Sequence, residues 1–160
     1  MKLGAIIVTY NRLELLKECI AACLKQTNKF EKIFIINNAS TDGTYEYLEE
    51  LKYEELEIIH SKENLGGAGG FYLGVEKAKD ADLDYVLLID DDAILDEKYN
   101  EEIHNHMQMM PDGICGYSGT VMTNNEIQYE HRRHLKKGFK YFDSKKEEYD
   151  NEYFEYFLIE

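Results

Sequence analysis

Residues 85–92, Tyr-Val-Leu-Leu-Ile-Asp-Asp-Asp, constrain the fold more than any other stretch of this chain. Five consecutive apolar or aromatic residues, most of them branched, suit a strand buried on both faces, and such a strand needs a layer on each side of its sheet. The run then stops at three carboxylates. Along an extended chain, alternation sends Asp90 and Asp92 to one side and Asp91 to the other, so the outer two can act as a pair. Paired carboxylates repel unless a cation sits between them, and oxygen-only ligation favours Mg²⁺ or Mn²⁺. The plainer reading is a solvated acidic loop, with Asp96 capping the helix that follows. Context has to decide between them.

That context is a regular alternation. Gly4 to Thr9 is a continuous small or β-branched apolar run, and Ile33 to Ile36 and Leu56 to His60 read as two further strands. Between the first two, Leu13, Leu16, Ile20, Cys23 and Leu24 recur at helical spacing opposite Glu14, Lys17, Glu18 and Lys25. Asn11 stands where a helix cap would, with Glu14 in the position of a capping box. A second helix is expected over Tyr45 to Leu51 and another over Asp96 to Met110, broken by Pro111-Asp112-Gly113. Strand, helix, strand, helix, strand indicates a parallel sheet with right-handed crossovers. A further strand is expected from Ile114 to Met122, where Gly116 and Gly119 permit close backbone approach.

Two stretches at the strand ends carry the polar chemistry. Asn37 to Thr44, Asn-Asn-Ala-Ser-Thr-Asp-Gly-Thr, makes a good turn and helix cap, and turn chemistry alone accounts for most of it. Yet open α/β sheets bind ligands at the carboxyl ends of their strands, where amide side chains can read a base edge. Asn64 to Phe71 holds four glycines, at 66, 67, 69 and 70, just before an expected helix showing Phe71, Val75 and Ala78 on one side. Glycine lets backbone approach a ligand and frees N–H groups at a helix start, which suits a diphosphate; a flexible linker is the weaker alternative between two tightly patterned elements. The spacing is not the dinucleotide fingerprint, because Tyr72 stands where its third glycine would fall.

Composition narrows the partners. A formal charge of −14 opposes nonspecific attraction to nucleic acid or anionic lipid, so an anionic substrate would need local cations. No run approaches the ~18 apolar residues of a membrane span and no signal peptide is visible, which leads us to expect a cytoplasmic protein. Three cysteines fit a reducing compartment, and Cys19 and Cys23, four apart on an apolar helical face, read as core rather than as zinc ligands or a disulfide. His104 and His106 point to different faces of their helix, which argues against joint ligation.

The ordered set Ile-Ile-Val-Thr-Tyr-Asn-Arg (6–12), Asn-Asn-Ala-Ser-Thr-Asp-Gly-Thr (37–44), Asn-Leu-Gly-Gly-Ala-Gly-Gly (64–70) and Asp-Asp-Asp (90–92) resembles the family 2 glycosyltransferases of the GT-A fold. The glycine block followed by Asp-Asp-Asp-Ala resembles the galactofuranosyltransferase and rhamnosyltransferase-like members. The resemblance implies a Rossmann-like, mostly parallel α/β sheet with helices on both faces. It also implies a uridine or deoxythymidine diphosphate sugar as donor and a saccharide or lipid-linked acceptor, in cell-surface polysaccharide synthesis. Thr9, Tyr10, Arg12, Asn38, Asp42, Gly66, Gly67, Gly69, Gly70 and Asp91 would bind the donor, and Asp90 and Asp92 would hold Mg²⁺ or Mn²⁺. The family often has aspartate where this chain has Asn37 and Asn38.

On this reading residues 1–123 form the donor-binding core and 124–160 begin an acceptor-side region, with the catalytic base downstream of the chain's last residue. The tail is rich in Tyr, Phe, Lys and Glu and reads as short strands and loops; Arg132 and Arg133 fit a solvated charged turn better than a phosphate site, and Asp143 and Asp150 are candidate bases only as carboxylates. Two other classes remain: a nucleotide-sugar binding module without turnover, and a nucleotidyltransferase. The latter normally wants a glycine-rich basic loop directly after the first strand, where this chain has Tyr10-Asn11-Arg12.

Overall fold

The computed structural model describes residues 1–109, 119–124, 126–128, 133–136 and 140–143. The chain divides into two compact units, Met1–Met110 and Pro111–Glu160, a division ahead of the boundary expected at residue 123.

The first unit alternates strand and helix as β1 (Leu3–Thr9), α1 (Leu13–Leu24), β2 (Lys32–Asn37), α2 (Thr44–Glu50), β3 (Leu56–His60), α3 (Gly66–Ala78), β4 (Tyr85–Asp90) and α4 (Tyr99–Met109). The strands pair in the order β3-β2-β1-β4, every pair parallel. The chain therefore starts inside the sheet, steps outward to β3, and returns to the other side of β1 for β4. That reversal puts the carboxyl ends of β1 and β4 side by side at the switch in strand order, the usual ligand position in such sheets.

Period-two alternation divides the core. Ala5, Ile7, Ile33 and Ile35 face α1 and α2, meeting Leu16, Cys19, Ile20, Cys23 and Leu48, with Ile103 of α4 packed against the same cluster. Ile6, Val8, Phe34 and Ile36 face the opposite way and meet Ala78, Phe71 and Val75 of α3. Helices thus cover both faces, and β1 and β2 are buried almost throughout. The two cysteines of α1 are free and buried, as their apolar spacing implied; a hydrogen bond with Cys23 and burial push the Cys19 thiol up, away from thiolate chemistry.

Three expectations need correction. The Tyr85 to Ile89 run is not buried on both faces: β4 is an edge strand of the four-stranded sheet and Leu88 is 51% exposed. α3 lies mainly over β1 and β2, so the α3 side of β4 is only partly covered. Asn11 does not cap α1, because its backbone takes a left-handed conformation (φ 53°) and its side chain turns instead to the amide of Thr41, 2.7 Å away. Glu14 completes no capping box and pairs with Lys17. The glycine block does not precede α3 but forms its opening turns, since the helix starts at Gly66.

That last correction gives the glycines separate tasks. A Cβ on Gly70 would fall 2.5 Å from Val8 Cγ1 and 3.1 Å from Asn38 Nδ2, and one on Gly74 would strike Ile6 Cγ2. These two, one turn apart, let α3 lie directly on the sheet. Gly66 takes φ 67°, and a Cβ on Gly66 or Gly67 would meet nothing within 4 Å.

In the second unit, β5 (Met122–Thr123) pairs antiparallel with β6 (Glu126–Ile127), and β7 (Arg133–Lys136) with β8 (Lys140–Asp143). Of the strand expected from Ile114 to Met122, residues 114–118 lie outside the described residues, as do Arg132 and Asp150; among the described ones Met122 is in strand and Gly119 lies before it. Arg133 lies in β7 and Asp143 in β8.

Candidate active site at the carboxyl edge of the sheet

Parallel register brings the chemistry-bearing segments to one edge. Val8 pairs with Asp90, Thr9 with Asn37, and Asn37 with His60, so the residues following β1, β2, β3 and β4 all emerge on the same side. At that edge Thr9 and Asn38 are each about 1% exposed, and the Asn38 N–H donates to the Thr9 carbonyl at 2.9 Å. The Asn38 Nδ2 donates to the carbonyl of Gly66 at 3.1 Å, which ties β2 to the start of α3. Its Oδ1 and the Thr9 Oγ1 are buried with no hydrogen-bond partner among the described residues. A buried polar atom left unpaired costs about 1–3 kcal/mol, and water or a ligand can complete it; Asn100 Oδ1, away from this edge, is in the same state.

The acidic triplet is arranged differently from a continuing strand. β4 ends at Asp90, which is exposed, and residues 91 and 92 enter a turn in which the Ala93 N–H donates to the Asp90 carbonyl. Alternation ends with the strand, and the carboxylates the structure brings together are Asp91 and Asp92. Arg12 Nη1 lies 3.3 Å from Asp91 Oδ1 and 2.8 Å from Asp92 Oδ2. Asp91 is 4% exposed, and a carboxylate so buried requires a cationic partner. Asp91 and then Asp92 hold the half-exposed Arg12 guanidinium further toward its charged form.

A divalent cation fits this edge on the chemistry of its donors. Hard oxygen ligands are present on Asp90 and Asp92, and the Asp91 and Asp92 carboxylates already converge on one positive group. No cluster of three or more His, Cys, Asp or Glu side chains forms a cage among the described residues, so Asp90 and Asp92 would supply only part of a cation's ligand set.

The loop after β2 is held from several directions. Asp42 Oδ2 accepts from the Leu13 N–H at 3.0 Å, the first amide of α1, while Oδ1 accepts from the Thr44 hydroxyl at 2.6 Å and its amide at 3.2 Å. Burial works against the Asp42 charge, yet the hydrogen bonds from Thr44 and Leu13 outweigh it and hold the pKa below the usual carboxylate range. Both oxygens of Asp42 are thus engaged in joining the starts of α1 and α2. Ser40 Oγ accepts from the Asn11 N–H at 3.0 Å, so the loops after β1 and β2 are laced together. Tyr10, beside them, is exposed, as are Gly66 and Gly67 at the head of α3, whereas Gly69 is half-buried and Gly70 buried.

Sequence reasoning singled out most of these residues and missed a polar knot under the acidic turn. Gln26 is buried; its Nε2 donates to the Asp96 carbonyl at 2.7 Å and its Oε1 accepts from the Asn100 N–H at 2.9 Å. Asn100 Nδ2 in turn donates to the Asn28 carbonyl. The knot fixes the chain just after Asp92, and its only sequence signal was a lone glutamine at the apolar end of an amphipathic helix. Asp96, for its part, accepts from the Lys98 N–H at 2.9 Å ahead of α4, close to its expected capping role.

Comparison with known proteins agrees with this geometry. The chain is 25% identical over 108 residues to the glycosyltransferase GlyG of Streptococcus pneumoniae, a match spanning 66% of this chain and 35% of the relative. It is 33% identical over 88 residues to the galactofuranosyltransferase GlfT1 of Mycolicibacterium smegmatis, spanning 55% of this chain and 29% of the relative. The chain thus spans about a third of the length of these relatives. Among solved structures, S. aureus TarS 1–349 in complex with UDP-GlcNAc superposes with a TM-score of 0.62 at 18% identity, over 83% of this chain and 39% of that one, which establishes the GT-A type of sheet. The family model described as "Glycosyl transferase family 2" matches residues 5–159, and the chain belongs to that family.

Proposed function

We propose that this chain provides the donor-binding part of a metal-dependent, inverting glycosyltransferase that moves a sugar from a UDP- or dTDP-sugar to a hydroxyl of a saccharide or lipid-linked acceptor, on the cytoplasmic side of cell-surface polysaccharide synthesis. The observation that carries the reading is the pair of buried, unpartnered oxygens on Thr9 and Asn38 beside the Arg12–Asp91–Asp92 cluster. The pair offers polar groups to a base and ribose, and the cluster offers charge to a diphosphate. S. aureus TarS is known in complexes with UDP and with UDP-GlcNAc, which supports a uridine nucleotide as part of the donor here. The glycine block followed by Asp-Asp-Asp, together with the GlfT1 match, favours a galactofuranosyl or rhamnosyl type of transfer.

Leaving of the diphosphate builds negative charge on phosphate oxygens and positive character on the sugar. A Mg²⁺ or Mn²⁺ held by Asp90 and Asp92 would neutralise the first of these. Arg12, kept paired with the buried Asp91, can exchange its exposed partner Asp92 for a phosphate.

Thermal-shift measurements across UDP, dTDP, GDP and ADP, with and without Mn²⁺, test the reading. A rise with uridine or deoxythymidine diphosphate that requires Mn²⁺, and that Asp92→Ala removes, is the expected result. Full retention of the metal-dependent rise in Asp92→Ala would remove that residue from the site.

A further inference from the structure

His60, at the carboxyl end of β3, stands in a hydrogen-bonded line that leads directly into the loop after β2. Its Nδ1 lies 3.0 Å from Asn37 Nδ2, and its Nε2 lies 3.2 Å from Glu49 Oε1 on α2. The ring of Tyr45, also on α2, stacks against it with centroids 4.3 Å apart and a tilt of 39°. Asn37 is about 1% exposed, and its Oδ1 accepts from the Ser40 N–H at 3.0 Å. That bond settles the orientation of the Asn37 amide: turned over, it would point an N–H at the Ser40 N–H. With Oδ1 committed to Ser40, Nδ2 is the group that faces His60, and a donor there requires an unprotonated Nδ1. The ring proton therefore sits on Nε2, where the Glu49 carboxylate accepts it. Each member of the line fixes the next.

The end of the line bears on the site. Between Asn37 and Ser40 lie Asn38, with its unpartnered buried Oδ1, and Ala39, a non-glycine residue at φ 59°. A left-handed alanine persists only where its surroundings hold it, and the Ser40-to-Asn37 bond closes the turn that contains it. We infer that His60 is a positioning residue: as its Nε2-protonated tautomer, braced by Glu49, it locks Asn37 and through it the Ala39–Ser40 bend that presents Asn38 to the nucleotide base. The brace rests on the proposed donor site for its consequence and on the structure alone for its existence. Glu49 and Tyr45 from α2 and Asn37 from β2 contact the ring.

Two measurements on the whole chain separate the brace from the donor reading. Nitrogen NMR of the His60 ring, without nucleotide, should show the neutral ring's proton on Nε2, and the Ser40 amide resonance should move in His60→Ala. In calorimetry with UDP and Mn²⁺, His60→Ala should weaken binding severalfold, whereas His60→Gln, whose side-chain carbonyl can still accept from Asn37, should bind as the parent does. A ring proton on Nδ1, a Ser40 amide unmoved in His60→Ala, or equal affinities in His60→Ala and the parent would each overturn the brace. A parent that binds no UDP would overturn the donor reading instead, while the ring and Ser40 resonances would still decide the brace.

Discussion

Asp42 illustrates how a residue assigned to ligand binding can act one step behind the ligand. Its two oxygens join the first amide of α1 to the start of α2, which fixes the loops after β1 and β2 relative to one another. Asp42→Asn keeps one acceptor and should lower stability by about 1 kcal/mol, the size of a lost helix cap. Because the folded pKa lies below the ordinary 3.8, the carboxylate's contribution is fully present above that value and fades as pH falls through the lower folded one. The difference in Tm between the parent and Asp42→Asn should therefore shrink below about pH 3.8, and a difference unchanged there would contradict the assignment. Arg12 is held from a distance in the chain as well. The resemblance implies a cation near phosphates, but not that Asp91 and Asp92, far away in sequence, hold it in place. Composition and spacing cannot report a pairing across 80 residues of chain.

At the scale of elements, α3 is where sequence and structure differ most usefully. Four glycines in five residues pointed to backbone approaching a ligand, and the structure shows a helix already formed at Gly66. Gly70 and Gly74 are set by the sheet beneath them. Gly74→Ala would force Ile6 aside and should cost about 1–3 kcal/mol, an overpacking penalty measurable by denaturant unfolding. Gly67→Ala meets open space and should be neutral or stabilising by up to about 1 kcal/mol, since alanine is the better helix former. Equal losses at the two positions would mean that α3 does not lie on β1 as described. The existence of the strands and their succession along the chain were plain in the sequence because each run is short, apolar and bounded by turn residues. Edge position was not: the run at 85–89 has the composition of a central strand, and only the crossover that returns the chain beside β1 puts it at the rim. Likewise the Asp90–Asp92 alternation failed because a strand's end is set by its neighbour's register, with Val8 the last β1 residue opposite it.

For the molecule as a whole, the order β3-β2-β1-β4 turns four separate sequence motifs into one edge. Nothing in the charge of −14 attracts a diphosphate, so on the proposed reading binding would come from local geometry: one guanidinium, backbone amides, and a cation carried in with the nucleotide. The central claim is that the sheet edge after β1, β2 and β4 receives a nucleotide diphosphate. A crystal structure of the chain grown with UDP and Mn²⁺ tests it most directly. The account predicts uracil or ribose against Thr9 and Asn38, with the diphosphate and metal beside Asp90, Asp92 and Arg12. Nucleotide bound at another surface, with Thr9 Oγ1 and Asn38 Oδ1 still unpartnered, would contradict it.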